Sequence, residues 1–203
     1  MPAKSVITIQ YNSPVILTFS LLAVAIHFMN FLIPDFTYHF FALRPMMSLF
    51  NPLDYFRLLS HALGHVSWGH LLGNITYILL LGPILEEKYG SRTILLMMCV
   101  TAFFTGVLNV LLFSTGLLGA SGIVFMLIIL VSIVDVKAGS IPLTFVLVAG
   151  IFIGTEIFNA FQADNISHLG HIIGGTFGAL FGFMFTQPLK RKPKVTRISS
   201  KKV

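Results

Sequence analysis

The chain has 203 residues, of which 56% are hydrophobic and only 10% are charged. Because a soluble globular domain carries about 25% charged residues, this composition excludes an ordinary soluble enzyme and indicates a membrane protein. The formal net charge is +6, and the single cysteine, Cys99, excludes an intrachain disulfide and a cysteine-based metal cluster.

Six apolar segments follow one another along the chain, and most approach the roughly 20 residues that cross a hydrocarbon core. They are 15–33, about 66–85, about 93–113, about 121–134, 141–158 and about 168–186. Because lipid offers no partner for backbone amides, each segment is predicted to be a helix. The fourth segment is short and is expected to begin below the membrane surface. Cys99 lies in the third and is expected to be a small buried hydrophobic residue.

The positions of the lysines and arginines predict the orientation of the chain. With six spans both termini lie on one side, and that side holds all but two of the 13 basic residues, Arg44 and Arg57. The positive-inside rule therefore places both termini in the cytoplasm. We divide the chain into an N-terminal cytoplasmic segment, 1–14, a membrane domain, 15–186, and a basic cytoplasmic tail, 187–203. The tail is expected to contact anionic membrane lipids and not nucleic acid.

A cleaved signal peptide is disfavoured for the first segment. Only Lys4 precedes it as a basic residue, and no small-residue cleavage site follows it. The first segment is therefore kept as part of the membrane domain.

Polar residues cluster at the start of the second and sixth segments. The two clusters contain five of the seven histidines and an asparagine: His61, His65, His70, Asn74, His168 and His171. Polar side chains are costly in a membrane, so these residues are functional candidates. His70 and Asn74 are four residues apart and therefore share one helix face. Segments two, four and six all begin on the outer side, so the clusters are expected to lie there together.

Ser121 begins the fourth segment after Gly119 and Ala120, which permit a tight turn into a helix. The unpaired amides at such a helix start, together with a side chain such as Asn74, are suited to stabilise an oxyanion. A serine nucleophile also needs a base, and His168 at the start of segment six is suited to that role. Glycines at every fourth residue would let the two helices touch; they are Gly170, Gly174, Gly178 and Gly182.

In this order the motifs resemble the rhomboid family of intramembrane serine proteases. The resemblance extends from about Arg57 to Gly182. It rests on four matches: His70 with Asn74, then Gly82 with Glu86 and Gly90, then the Gly-x-Ser-Gly motif from Gly119 to Gly122, and finally His168 in "SHLG".

The resemblance implies an all-α membrane protein with a six-transmembrane-helix rhomboid-like bundle and a cavity open to the outside. It also implies an interfacial segment between the first and second helices. The stretch 35–64 fits that expectation, because it is too long for a structureless loop and is rich in aromatic residues. The short chain favours a prokaryotic plasma membrane, in which the protein would be an integral multi-pass protein.

The implied activity is that of a serine endopeptidase that cleaves transmembrane segments of membrane-protein substrates. Ser121 would be the nucleophile and His168 the general base, with no acidic third member, no cofactor and no metal. Asn74, His70 and the Ser121 amide would form the oxyanion hole. Gly119, Gly122 and Phe125 would support this site.

Three positions differ from the family pattern around the expected base, of which Ser167 in place of alanine is a small change. Phe125 replaces a tyrosine that often stacks on the catalytic histidine, and it is expected to stack on His168. The third residue after the catalytic histidine is usually glycine, whereas here it is His171, which we interpret as structural.

Other interpretations are weaker. A transporter or metal site built on the histidines would need further ligands in facing helices, and the His-Glu-x-x-His motif of a zinc protease is absent. His61 and His65 are therefore expected to form local hydrogen bonds, and Glu86 to organise the inner end of the second helix. The principal alternative is a catalytically weak or inactive rhomboid-like protein that binds membrane-protein clients.

Overall fold

The computed structural model of the chain describes residues 10–133, 141, 143–160 and 168–185, with side chains except at 152, 153, 155–160, 168 and 169. The predicted tail at 187–203 and most of the predicted N-terminal segment lie outside the described residues. The described part is helical, apart from turns and one isolated backbone bridge. An all-helical architecture therefore holds for the part of the chain that the structure describes.

The helices within the described ranges coincide with the predicted segments. They are α1, Pro14–Phe28, which continues as a 3-10 turn at Met29–Phe31; α2, Phe36–Phe41; α3, Pro52–Ser60; α4, Trp68–Tyr89; α5, Ser91–Leu112; α6, Ser121–Ile133; α7, Leu143–Ala160; and α8, His168–Met184. Each of the six apolar segments contains one long helix, and the short helices α2 and α3 lie in the stretch between the first two.

Three of the described helical stretches are long and apolar enough to cross a membrane: Pro14–Phe31, Trp68–Tyr89 and Ser91–Leu112. Two shorter apolar helices are Ser121–Ile133 and Gly170–Met184. The 13 residues of α6 agree with the expectation that the fourth segment is short. Three candidate spans are therefore observed, and a total of six stays a prediction.

Helices α6 and α8 form the most extensive helix pair among the described residues, and glycines make their close contact possible. Gly174 lies directly on the backbone of Gly122, with no room for a side chain. A Cβ atom added to Gly178 would lie 2.5 Å from the carbonyl oxygen of Met126. Further along, Gly182 packs on Ile133. The glycine stripe predicted for the sixth segment is therefore a helix-packing surface, and it draws α8 against the helix that Ser121 begins.

The expectation that Cys99 is buried is wrong, because the residue is exposed. The buried positions of α5 follow a helical period that includes Met97, Met98 and Thr101, whereas Leu95, Leu96 and Cys99 lie on the exposed face. The single cysteine is thus on the surface of α5.

Glu86 joins the last turn of α4 to the first turn of α1. Its two carboxylate oxygens accept hydrogen bonds from the backbone N–H groups of Val15 and Ile16, each at 3.1 Å. Gly82, one turn earlier, leaves the space that the Ile16 side chain fills. An anion at a helix start stabilises the unpaired amides there. Glu86 therefore organises this end of α4, as predicted, by capping α1.

Replacing Glu86 by alanine should lower the free energy of unfolding by about 2 kcal/mol, because two buried amides lose a charged acceptor. The adjacent Glu87 is exposed, so Glu87→Ala is the matched control and should change stability by less than about 0.5 kcal/mol. Denaturant unfolding in detergent micelles, followed by circular dichroism, measures both. Equal stability of the two variants would contradict a capping role for Glu86.

The stretch between α1 and α4 forms a compact segment with its own buried ion pair. Arg57 Nη1 lies 2.6 Å from Asp54 Oδ1, and both side chains are almost fully buried. The other guanidinium nitrogen of Arg57 donates to the backbone carbonyl of His39, and Asp54 also accepts from the Ser48 N–H at 3.0 Å. These bonds join α2 and α3 into one unit.

This compact segment is tied directly to the loop that precedes α6. Leu43 and Leu117 exchange two backbone hydrogen bonds of 3.0 Å. In addition, the backbone carbonyl of His61 accepts from the N–H of Gly119 at 2.9 Å. The segment between the first two long helices therefore supports the loop that leads to Ser121.

Candidate active site

The loop before α6 places Ser121 at the first position of the helix, and Gly119 determines how it does so. Gly119 has a φ of +135°, a conformation that side-chain-bearing residues rarely adopt. A Cβ atom at this position would also lie 2.5 Å from Cε1 of the His70 ring. Glycine is therefore required twice here, for the backbone turn and for the close approach of His70.

Ser121 opens onto a cavity of about 970 Å³. Asn74 and His70 of α4 line the same cavity, together with Phe125 of α6 and His171 of α8. The segment between α1 and α4 and the loop before α6 complete its wall. Residues from five parts of the chain thus line the cavity onto which Ser121 opens.

Helix α4 presents His70 and Asn74 to this cavity from its first two turns. The Ser67 side chain caps the helix by accepting the N–H of His70 at 3.2 Å, which sets the start of α4. Asn74 is only 7% exposed. Its Nδ2 atom is buried and has no hydrogen-bond partner among the described residues, and neither has Nδ1 of His70. An unused amide donor at the wall of a cavity is suited to bind a negatively charged oxygen.

The other two histidines of the first cluster, His61 and His65, are buried. Burial lowers the pKa of His61 to about 4, although its hydrogen bonds with Ala102 and Gly119 act in the opposite direction. Burial, and then the neighbouring His70, lower the pKa of His65 to about 3. Both rings are therefore neutral at pH 7.

Each of these neutral rings has a hydrogen-bond partner. Nε2 of His61 lies 3.1 Å from the carbonyl oxygen of Ala102 in α5, and Nδ1 of His65 lies 3.3 Å from that of Leu63. The local hydrogen bond expected for His65 is observed, whereas His61 bonds to a residue 41 positions further along the chain. Among the described residues, no three of the types His, Cys, Asp and Glu converge closely enough to hold a metal ion.

The structure describes the expected general base only through its backbone. His168 is the first residue of α8, and its side chain lies outside the described residues. The expected stacking of Phe125 on His168 therefore lies outside them as well.

His171, which the sequence analysis interpreted as structural, is a lining residue of the cavity that holds Ser121. Its ring centroid is 4.3 Å from that of Phe125, with 41° between the ring planes. The aromatic residue four positions after Ser121 thus contacts a histidine of α8, and that histidine is His171.

The packing of α8 on α6 explains why His171 reaches the cavity. Gly174 lies on the Gly122 backbone, and a Cβ atom at Gly122 would lie 3.1 Å from the carbonyl oxygen of Gly170. The turn of α8 from Gly170 to Gly174 is therefore level with the start of α6. His171 is in that turn, whereas His168 is about one turn nearer the start of the helix.

One signal in the sequence would have identified His171. The family pattern has glycine three residues after the catalytic histidine. Counted from His168 that position is His171, a departure from the pattern, but counted from His171 it is Gly174, which matches. The two histidines are three residues apart on one helix, so their distance from Ser121 along the chain does not show which of them is the base.

Comparison with known proteins gives a consistent result. The family model described as Rhomboid domain matches residues 52–188. Rhomboid-like protein 11, chloroplastic, from Arabidopsis thaliana is 23% identical over 168 residues, which is 73% of this chain and 60% of that protein. Rhomboid protease GlpG from Haemophilus influenzae is 26% identical over 136 residues, which is 64% of this chain and 70% of that protein. The chain thus spans 60% of the length of the Arabidopsis relative.

Proposed function

Because the chain belongs to the rhomboid family, we propose that it is an intramembrane serine endopeptidase that cleaves transmembrane segments of membrane proteins. The observation that carries this proposal is the shared cavity of Ser121, Asn74, His70 and His171. A nucleophile, a potential base and two groups suited to bind an oxyanion all line that one space. Family membership alone would be compatible with an inactive rhomboid-like protein.

In the proposed reaction, Ser121 Oγ attacks the carbonyl carbon of the substrate peptide bond while a histidine of α8 takes its proton. The carbonyl oxygen becomes negatively charged and is stabilised by the Ser121 N–H, the Asn74 amide and His70. The histidine then gives its proton to the leaving amine nitrogen. Water, deprotonated by the same histidine, attacks the acyl carbon, and the bond to Ser121 Oγ breaks as the histidine returns the proton to that oxygen and the second product leaves.

We assign the role of that histidine to His171, whereas the motif alone led us to expect His168. Three observations support His171: it lines the cavity with Ser121, its ring contacts Phe125, and the α8 turn that contains it is level with the start of α6. The glycine three residues later, Gly174, makes the closest contact with α6. His168 remains the alternative base, about one turn away along α8.

Replacing Asn74 by alanine should slow cleavage by about 10²-fold or more, because one donor to the developing oxyanion is lost. The effect should fall on kcat, since the interaction strengthens only as charge develops. Thr76→Ala is the matched control: Thr76 is also on α4, is exposed, and bonds to the carbonyl of Leu72 in its own helix. Steady-state cleavage of a model substrate in lipid vesicles measures both. A wild-type kcat for Asn74→Ala would remove Asn74 from the oxyanion hole.

The membrane arrangement is part of the same proposal. We place the chain in a prokaryotic plasma membrane with both termini in the cytoplasm and the Ser121 cavity facing outward. The support for this orientation is the distribution of basic residues, all but two of which fall on the proposed cytoplasmic side.

The test of function uses the full-length protein in vesicles with a single-pass substrate that carries helix-breaking residues. We expect cleavage of the substrate, and covalent labelling by a fluorophosphonate probe that maps to Ser121. Cleavage that needs a metal ion and leaves Ser121 unlabelled would overturn the serine mechanism. Substrate binding with neither cleavage nor labelling would instead establish the inactive, client-binding alternative.

A further inference from the structure

Arg44 lines the cavity that contains Ser121. The residues immediately before and after Arg44 fix the position of its backbone. Leu43, immediately before it, exchanges two hydrogen bonds with Leu117 in the loop that leads to Ser121, and Pro45, which also lines the cavity, follows it. Arg44 is thus held at the wall where the interfacial segment meets the loop before the nucleophile.

The charge of Arg44 is uncompensated within this cavity. Among the described residues that line the cavity, Arg44 is the only lysine or arginine, and none is an aspartate or glutamate. The other titratable side chains that line the space are two histidines and two phenols, which are not anionic at neutral pH: His70, His171, Tyr38 and Tyr77. A cavity with this lining attracts anions, because its apolar walls concentrate the field of the cation.

Arg44 also differs from the second arginine predicted to lie on the outer side. Arg57 is 1% exposed and its guanidinium is engaged by Asp54 and by the His39 carbonyl. Arg44 is exposed and makes no hydrogen bond or ion pair with a described residue. Its charge reaches Asp54 only through space: burial raises the pKa of that carboxyl, but the Ser48 amide, Arg57 and, last, Arg44 lower it, so that the pKa lies below its usual value. Asp54 therefore does not occupy Arg44, and the guanidinium is free for a ligand.

We propose that Arg44 selects substrates with a carboxylate side chain close to the scissile bond. This inference rests on the proposed function, since it names the class of substrate that the Ser121 cavity prefers. A guanidinium presents a planar pair of donors that matches both oxygens of a carboxylate. The favoured substrates are transmembrane segments with an aspartate or glutamate at their outer membrane boundary, next to a cleavage point near the start of α6.

The experiment compares matched substrates that carry aspartate, asparagine or lysine at successive positions beside the scissile bond. Cleavage is measured in vesicles of uncharged phosphatidylcholine, and again in anionic vesicles, with the wild type, Arg44→Gln and Arg44→Glu. Arg92→Gln is the control, because Arg92 is exposed in the first turn of α5, at the end of that helix away from the loop that leads to Ser121. At the best position, kcat/KM should favour aspartate about fivefold in the wild type and the control, as for a solvent-accessible ion pair. The preference should disappear in Arg44→Gln, and Arg44→Glu should instead favour a substrate lysine.

The same substrates are also bound to Ser121→Ala protein, which provides a readout that does not need cleavage. A carboxylate preference in binding without any cleavage by the wild type would count against the proposed function and leave the role of Arg44 standing. An aspartate preference that persists in both Arg44 variants would overturn the proposal. So would an effect of Arg44→Gln that is equal for all substrates and appears only in anionic vesicles, because Arg44 would then bind lipid headgroups.

Discussion

Ser121→Ala protein should cleave no detectable substrate and should lose at least about 10⁴-fold in kcat/KM. Removing the nucleophile of a serine protease costs about 10⁶-fold, and the other side-chain hydroxyls on the described part of the cavity wall are phenols. They belong to Tyr38 and Tyr77, and neither follows a left-handed glycine turn into the first position of a helix as Ser121 does. The substitution should leave the fold intact, because Ser121 is half-buried and alanine is smaller.

The control for this variant is Ser132→Ala, which removes a serine hydroxyl from the same helix. Ser132 Oγ donates to the carbonyl oxygen of Ile129 within α6 and does not line the cavity. Its loss should leave cleavage within about twofold of the wild type. Both proteins are compared for cleavage, fluorophosphonate labelling and thermal unfolding. Residual cleavage by Ser121→Ala at more than a few per cent of the wild-type rate would show that another group is the nucleophile.

His171→Ala should abolish cleavage nearly as completely as Ser121→Ala, whereas His168→Ala should retain most of the activity. Nucleophile and base act as one unit, so removing either costs a similar amount. The pair of variants is well matched, because the same side chain is deleted from the same helix at positions three residues apart. Cleavage rates and the rate of fluorophosphonate labelling of Ser121 measure the effect, since labelling also requires an activated hydroxyl.

The reverse result would be equally informative. If His168→Ala is inactive and His171→Ala cleaves normally, the expectation drawn from the "SHLG" motif is right and His171 is a packing residue.

Much of the fold follows from the sequence because the membrane leaves few alternatives. An apolar run of about 20 residues has to satisfy its backbone internally, and a helix is the only way to do so within one segment. This is why the predicted segment 66–85 and the observed α4, Trp68–Tyr89, coincide within a few residues. The short fourth segment and the glycine stripe of α8 were predictable for the same reason, since both are properties of one stretch of chain.

Tertiary contacts were not predictable in this way. That Glu86 caps α1, 70 residues earlier in the chain, and that the His61 carbonyl holds Gly119, depend on which distant segments become neighbours. Gly119 illustrates the difference. Its place in a Gly-x-Ser-Gly motif was visible in the sequence, but the reason for it, the His70 ring against its Cα, appears only when α4 stands beside α6.

By itself, the sequence determined the helices and the serine, asparagine and histidines that could serve one reaction. Only the tertiary structure brought His171 to the cavity that Ser121 shares with Asn74, and only it left Arg44 unpaired at the cavity wall. The physical reason is that helix formation is decided by local hydrogen bonding and hydropathy, whereas the depth at which α8 packs on α6 is decided by where their backbones touch, at Gly122 and Gly174.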